Sequence, residues 1–314
     1  MAMAAALFGC GNSSGSLEKI KIAIVQPMDH PSLNEIRETI VSELKEKGYD
    51  DSKAEIILKN SNGDNSVLTS IYDSLIADKV DILVPIATGS AQVAASSTTE
   101  IPIVFSAVSN PIEAGLVESF DKTDKNITGV SNSIPVDQIF DLAGELTPGI
   151  KTFGFIYTPS EINSTAGIEK AKKYCDENGI AYKEATIAGT GDLQQAVASI
   201  VDDVDAFFTP NDNTVASAMP TYVQLATEAG KPIYCGADSM VKDGGFATVG
   251  IDYTVLGKQT ADMVIRVLDG KKISEVPVES IKDYAKMINV KTAESLDITV
   301  SDKIKESFVL IGQE

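Results

Sequence analysis

The chain has 314 residues, 43% of them hydrophobic, enough apolar material for a large core shared between two domains. Its formal net charge of −19 repels nucleic-acid phosphates and anionic headgroups, so neither nucleic acid nor a bare lipid surface is expected as a partner. One histidine excludes any mechanism that needs two, and three cysteines without CxxC or Cys/His spacing leave no zinc site, so no metal or cofactor is expected.

In chain order, the first feature is Leu7-Phe8-Gly9-Cys10, preceded by Ala-rich apolar residues and followed by Gly11-Asn12-Ser13-Ser14-Gly15-Ser16. It resembles the end of a bacterial lipoprotein signal peptide, in which Cys10 would carry the lipid. Phe8 is bulky for that place, and the segment before Cys10 is short and lacks a basic start, which points to a truncated or misassigned beginning. The alternative is a tail with an incidental cysteine. The Gly/Ser stretch is a flexible tether on either reading. No later segment approaches 18 consecutive apolar residues, so nothing else is expected to span a membrane.

Strands and amphipathic helices then alternate. Ile22–Val25, Ile56–Leu58, Ile82–Val84 and Ile103–Phe105 read as four strands, with Ile36, Ile40, Val41 and Leu44 sharing the face of the first intervening helix. The plan repeats with Phe153–Ile156, Glu184–Ile187, Ala206–Phe208 and Ile233–Cys235, and a ninth strand, Ala247–Ile251, follows. Short continuous apolar strands separated by helices imply parallel sheets buried on both faces, and the repeat implies two similar doubly wound α/β lobes. Cys175 and Cys235 fall in a helix and a strand as buried small hydrophobes rather than a disulfide.

Each of the eight repeated strands ends in small polar residues, among them Thr88-Gly89-Ser90, Ser106-Ala107-Val108-Ser109-Asn110 and Asn211-Asp212-Asn213. Such residues satisfy the free N–H groups of a helix start, and some are simply caps. Ligands of open α/β sheets bind outside the carboxyl ends of the strands, so two lobes facing each other would also line a polar cleft.

The segments IVQPMDHPSLNEI, ATGSAQVA, IPIVFSAVSNPIEAGLV, NITGVSN, PNDNTVASAM and GADSMVKDGGFATVGIDYTVLGKQTADM carry a resemblance that extends from about Lys19 to Asn289. In order and spacing the chain resembles the substrate-binding lipoproteins of ABC importers, the family that includes tryptophan- and other aromatic amino-acid-binding proteins. The resemblance implies a type I periplasmic-binding fold of two hinged lobes. Residues 18–107 with 253–273 would form the first lobe, and 108–252 with 274–314 the second, after a tether of residues 1–17. The chain would cross between lobes near Val108–Gly129, Gly250–Tyr253 and Ser274–Val278. It also implies a monomeric bacterial protein outside the cytoplasm, held to the membrane only by its lipid. Such a protein captures a small solute, here an aromatic amino acid such as L-tryptophan, L-phenylalanine or L-tyrosine, and delivers it to a permease with separate ATPase subunits.

A zwitterionic ligand needs two opposite environments. Thr88-Gly89-Ser90-Ala91 suits its carboxylate, because Gly89 admits close approach to a helix N-terminus, and Ser106, Ser109 and Asn110 could add polar contacts. Asp212 and Asp238 are candidates for its ammonium, with capping as the rival role. Met28, His30 and Tyr157 could wall its side chain. Asn163, Asn211 and Asn213 either cap helices or reach the cleft, and Asp252 either touches ligand or fixes a crossing. No catalytic residue is assigned: no GxGxxG follows the first strand, no nucleophile elbow joins a strand to a helix, and no GxxxxGK[ST] is present. A membrane-tethered sensor built on the same lobes stays open, as does a sugar, branched amino acid or nucleoside as ligand.

Overall fold

The computed structural model describes residues 19–123 and 125–313, so Cys10 and the tether lie outside the described residues. Among the described residues, thirteen strands form two sheets. The strands are β1 (Ile20–Gln26), β2 (Ala54–Asn60), β3 (Ile82–Pro85), β4 (Ile103–Val108), β5 (Ile127–Ser131), β6 (Thr152–Tyr157), β7 (Ala181–Thr186), β8 (Ala206–Thr209), β9 (Ile233–Cys235), β10 (Ala247–Gly250), β11 (Glu279–Ser280), β12 (Ala285–Asn289) and β13 (Val309–Ile311). The first sheet runs β11-β5-β4-β3-β1-β2, with every pair parallel. The second runs β13-β12-β10-β9-β8-β6-β7, and only β10 and β12 are antiparallel. The doubly wound two-lobe α/β architecture expected from the sequence is therefore present.

The central strands are the continuous apolar runs, as burial on both faces requires. Every residue of β3, β4, β8 and β9 is buried. Edge strands look different because one side meets water. In β2, Leu58 is exposed. The β7 strand begins three residues before the run Glu184–Ile187, because Gly179, left-handed at φ 68°, ends the preceding helix and turns the chain straight into the sheet.

The division at residue 107 is corrected by the pairing. β5 aligns with β4 from Ile103↔Ile127 onward, and β11 aligns with β5 through Glu279↔Val130, so both belong to the first sheet. The first crossing therefore lies at residues 132–135, not within Val108–Gly129. The third lies at residues 281–284, after β11, rather than near Ser274–Val278. The middle crossing stays at Ile251–Asp252, between β10 and the helix Tyr253–Leu268. Tyr284 Oη donates to the carbonyl of Ser133 at 3.1 Å, which ties the first and third crossings together.

The helix Tyr253–Leu268 returns to the first lobe and lies against the helix Pro31–Glu46. Gly257 makes this approach close: a Cβ there would sit 2.6 Å from Thr39 Cβ and 3.2 Å from the carbonyl of Ile36. Gly257→Val should overpack this contact and cost about 1–3 kcal/mol, read as a lower denaturant midpoint. An unchanged midpoint would mean that the two helices separate freely.

Candidate functional site

The strand-end loops of the two lobes meet in a cleft. A cavity of about 550 Å³ is lined by Met28, Thr88, Gly89 and Gln92 from the first lobe and by Glu161, Asn163, Asn213 and Thr214 from the second. A second cavity of about 440 Å³, lined by Ser109, Asn110, Ser133 and Asn211, shares Asn163 with it. Hydrogen bonds cross between the lobes: Ser32 and Ser239 share one at 2.6 Å, Asn211 Nδ2 donates to Ser109 Oγ at 2.9 Å, and Ser217 Oγ donates to Met28 Sδ at 3.4 Å. The Lys242 ammonium reaches Glu35 at 3.2 Å. The lobes are thus in closed contact.

In the first lobe, the loop after β1 is held from within. The buried Gln26 amide donates to the Met28 carbonyl at 2.9 Å and to Asp29 Oδ1 at 2.8 Å, while Ser61 Oγ donates to the Pro27 carbonyl at 2.8 Å. This presents Met28 and His30 to the second lobe. Two alanines, Ala87 at φ 72° and Ala107 at φ 60°, take left-handed backbone at the ends of β3 and β4. An alanine gains nothing there by itself, so the strain is held by the surroundings, as at many binding loops. Ala87 also leaves the helix Thr88–Ser97 without a capping side chain. Thr88 is 2% exposed, and its hydroxyl has no partner in the protein. A Cβ on Gly89 would meet nothing within 4 Å. The helix start is therefore open to the cleft through Thr88 and Gly89.

The neighbouring candidates turn away from it. Ser90 Oγ donates to the Val25 carbonyl at 3.2 Å and bonds Tyr72 Oη at 2.7 Å. Ala91 is in the first-lobe core. Ser106 bonds Thr260 Oγ1 at 2.8 Å, fastening β4 to the helix Tyr253–Leu268. Asn110 bonds Glu113 in a local turn. Period and composition could not separate these from Thr88, because structural and exposed hydroxyls are the same residue types.

In the second lobe, Asp212 is fully buried and accepts four bonds: from Thr158 N at 2.6 Å, Thr158 Oγ1 at 3.1 Å, Ser164 Oγ at 2.6 Å and Val215 N at 2.8 Å. Burial, then the Glu161 carboxylate, pushes its carboxyl up to about 7, against the pull of these donors. Both oxygens are occupied, so Asp212 is a cap and a loop anchor. Asp238 accepts from Ser239 N at 2.7 Å and pairs with Lys242 at 2.7 Å; burial raises its pKa and Lys242 opposes the rise. Asp252 caps its helix through Val255 N at 2.9 Å. Tyr157 Oη donates to Glu184 at 3.0 Å, on the β7 side of the sheet.

The sequence reading missed Glu161. Its carboxylate accepts from Asn213 N and Thr214 N, both at 3.0 Å, from Asn213 Nδ2 at 2.6 Å, from Thr214 Oγ1 at 2.9 Å and from Asn163 Nδ2 at 3.0 Å. A single acidic residue after Pro159-Ser160 looks like any helix start, and only the fold brings the loop after β8 onto it. His30 is 5% exposed, and its Nε2 lies 3.3 Å from Asn213 Oδ1 across the cleft. Burial lowers its pKa from 6.5 to about 4, so the ring is neutral near pH 7. His30 Nδ1 and Asn211 Oδ1 are buried without a protein partner, like the Thr88 hydroxyl. Buried polar atoms are ordinarily paired, and these three lie at strand ends of the two lobes.

No group of three His, Cys, Asp or Glu among the described residues could hold a metal ion, and no described helix is long and apolar enough to cross a membrane. A family model described as ABC transporter substrate binding protein matches residues 21–308. A tyrosine-binding protein of Clostridioides difficile is 33% identical over 304 residues, 93% of this chain and 88% of that protein. A Streptococcus pneumonia domain solved in complex with L-Trp is 37% identical with a TM-score of 0.89, covering 93% of this chain and 99% of that one. A ligand-free, open substrate-binding protein with adhesive properties from Clostridium difficile is 32% identical with a TM-score of 0.73, covering 94% and 99%.

Asp212→Ala should cost about 3 kcal/mol in the protein alone, because it strands the N–H groups of Thr158 and Val215, whereas Thr88→Val should change stability by less than about 1 kcal/mol. Equal losses would contradict the division into anchor and open site. The two titrating groups act oppositely on stability. The His30 contribution is present above 6.5 and is lost as pH falls to about 4, whereas the Asp212 contribution is present below 3.8 and is lost as pH rises to about 7. The unfolding free energy of the wild type minus that of His30→Asn should therefore fall by up to about 3 kcal/mol between pH 7 and pH 4. A flat difference would place His30 in water.

Proposed function

Because the chain belongs to the ABC transporter substrate-binding protein family, a class of solute binders rather than enzymes, we propose that it captures an aromatic amino acid between its lobes. The ligand is L-tryptophan, L-tyrosine or L-phenylalanine. The protein hands it to a membrane permease powered by separate ATPase subunits and performs no chemistry of its own. It works outside the cytoplasm as a monomer, anchored by lipid on Cys10.

One observation carries the placement of the ligand. The helix start at Thr88-Gly89 has no capping side chain, its hydroxyl is buried and unpaired, and it borders a cavity large enough for an amino acid. First-turn N–H groups and the positive end of the helix favour a carboxylate there. Met28 and the aliphatic part of Gln92 offer apolar contact at the same wall. The choice of an aromatic side chain follows the tyrosine-binding relative and the domain bound to L-Trp. Closing the lobes on the ligand would give the permease a bound form to recognise.

A thermal-shift screen against the twenty amino acids, nucleosides and common sugars tests the reading. At about a hundredfold above its dissociation constant, the true ligand should add about 2.7 kcal/mol of stability. Aromatic amino acids alone should do so, and Gly89→Val should abolish the effect without lowering the stability of the free protein. A shift with a sugar or nucleoside only would overturn the ligand class.

A further inference from the structure

The carboxylates at the cleft are already engaged: both oxygens of Asp212 and of Glu161 are taken by donors, and Asp238 is held by Ser239 and Lys242. Two buried acceptors of the strand-end loops have no partner in the protein, Asn211 Oδ1 beside Ser109 and His30 Nδ1, and His30 stands two residues from Met28, which lines the larger cavity with Thr88. His30 stands at the N-cap of the helix Pro31–Glu46, yet its side chain makes no capping bond. The ring instead reaches across to the second lobe, with Nε2 facing Asn213 Oδ1.

The direction of that bond is set from the other side. Glu161 offers only acceptors to its neighbours and takes the Asn213 Nδ2–H at 2.6 Å. The Asn213 amide therefore turns its oxygen towards His30. That oxygen can only accept, so Nε2 must carry the ring proton and Nδ1 must carry the lone pair. Nδ1 is buried and has no partner in the protein. The Glu161 and Asp29 carboxylates add a negative potential at the ring. A cation is welcome there and a second carboxylate is not.

We propose that Glu161, acting through Asn213, fixes the tautomer of His30 so that Nδ1 receives an N–H of the ligand's ammonium group. This rests on the amino-acid reading above and adds the recognition of its amine. Glu161 is a positioning residue, and His30 is the contact. The site would then read the two ends of its ligand from two strand ends of the first lobe: the carboxylate at Thr88 and Gly89 after β3, the ammonium at His30 after β1. It would discriminate against the same acid with hydrogen in place of the amine.

The chain has one histidine, so ring-15N labelling gives a single imidazole to observe, provided the protein is purified without a polyhistidine tag. Near pH 7 the free protein should show the Nε2–H tautomer, and Asn213→Ala should release it to a mixture. A proton on Nδ1 in the wild type, or no change in Asn213→Ala, overturns the relay. Calorimetry then compares L-tryptophan, L-tyrosine and L-phenylalanine with their deamino counterparts. The amino acid that binds should be favoured by roughly ten- to a hundredfold over its deamino form, and His30→Phe should bring the two affinities together. Equal affinity of both forms for the wild type overturns this inference alone. Failure of all three amino acids to bind overturns the ligand reading with it.

Discussion

The Asp212 carboxylate is buried where three loops of the second lobe converge, and the cleft depends on it. It joins the end of β6 through Thr158, the start of the next helix through Ser164, and the turn after β8 through Val215. Burial and the neighbouring Glu161 raise its pKa, and two backbone N–H groups and two hydroxyls oppose that rise by donating to it. Glu161 repeats the arrangement one layer nearer the cleft, gathering Asn163, Asn213 and Thr214. The two carboxylates stiffen loops that would otherwise be free ends of parallel strands. The wall facing Thr88 and His30 is thereby fixed before any ligand arrives, which lowers the ordering cost of binding.

The contact between lobes is of another kind. It consists of neutral hydrogen bonds such as Ser32 to Ser239 and His30 to Asn213, with one partly exposed ion pair from Lys242 to Glu35. Each contributes about 1 kcal/mol or less. Such a seam holds the lobes together without locking them, and a ligand that touches both walls can shift the balance by its own differential contacts. Relatives of similar identity fit this picture: the chain superposes more closely on the domain bound to L-Trp, TM-score 0.89, than on the ligand-free open protein, TM-score 0.73.

Much of the fold was legible in the sequence because burial on both sheet faces demands uninterrupted apolar runs, and β3, β4, β8 and β9 are such runs. β5 was not, since Ile127-Thr128-Gly129-Val130 mixes polar and apolar residues and reads as a connection until it is paired with β4. That one strand moved the first crossing to residues 132–135. In the site, the strand-end clusters were legible as a set but not in their division of labour. Thr88 and Ser90 differ by a methyl group and two positions, yet one hydroxyl is unpaired at the cleft and the other is bonded to Tyr72. Asp212 and Glu161 show the same limit, because the donors of Asp212 include Thr158 and Ser164, far from it in sequence but adjacent across the sheet.

The three crossings make each lobe discontinuous along the chain. The first sheet is not complete until β11 at Glu279–Ser280 has paired with β5, and its helix layer waits for Tyr253–Leu268 to pack against Pro31–Glu46. Contacts between residues more than two hundred positions apart, such as Ser32 with Ser239, are slow to form because a long loop must close first. A chain emerging from its N-terminus therefore has no finished lobe until nearly all of it has appeared. For a polypeptide that must be threaded through a membrane before it can work, late completion keeps the chain extensible for the length of the journey.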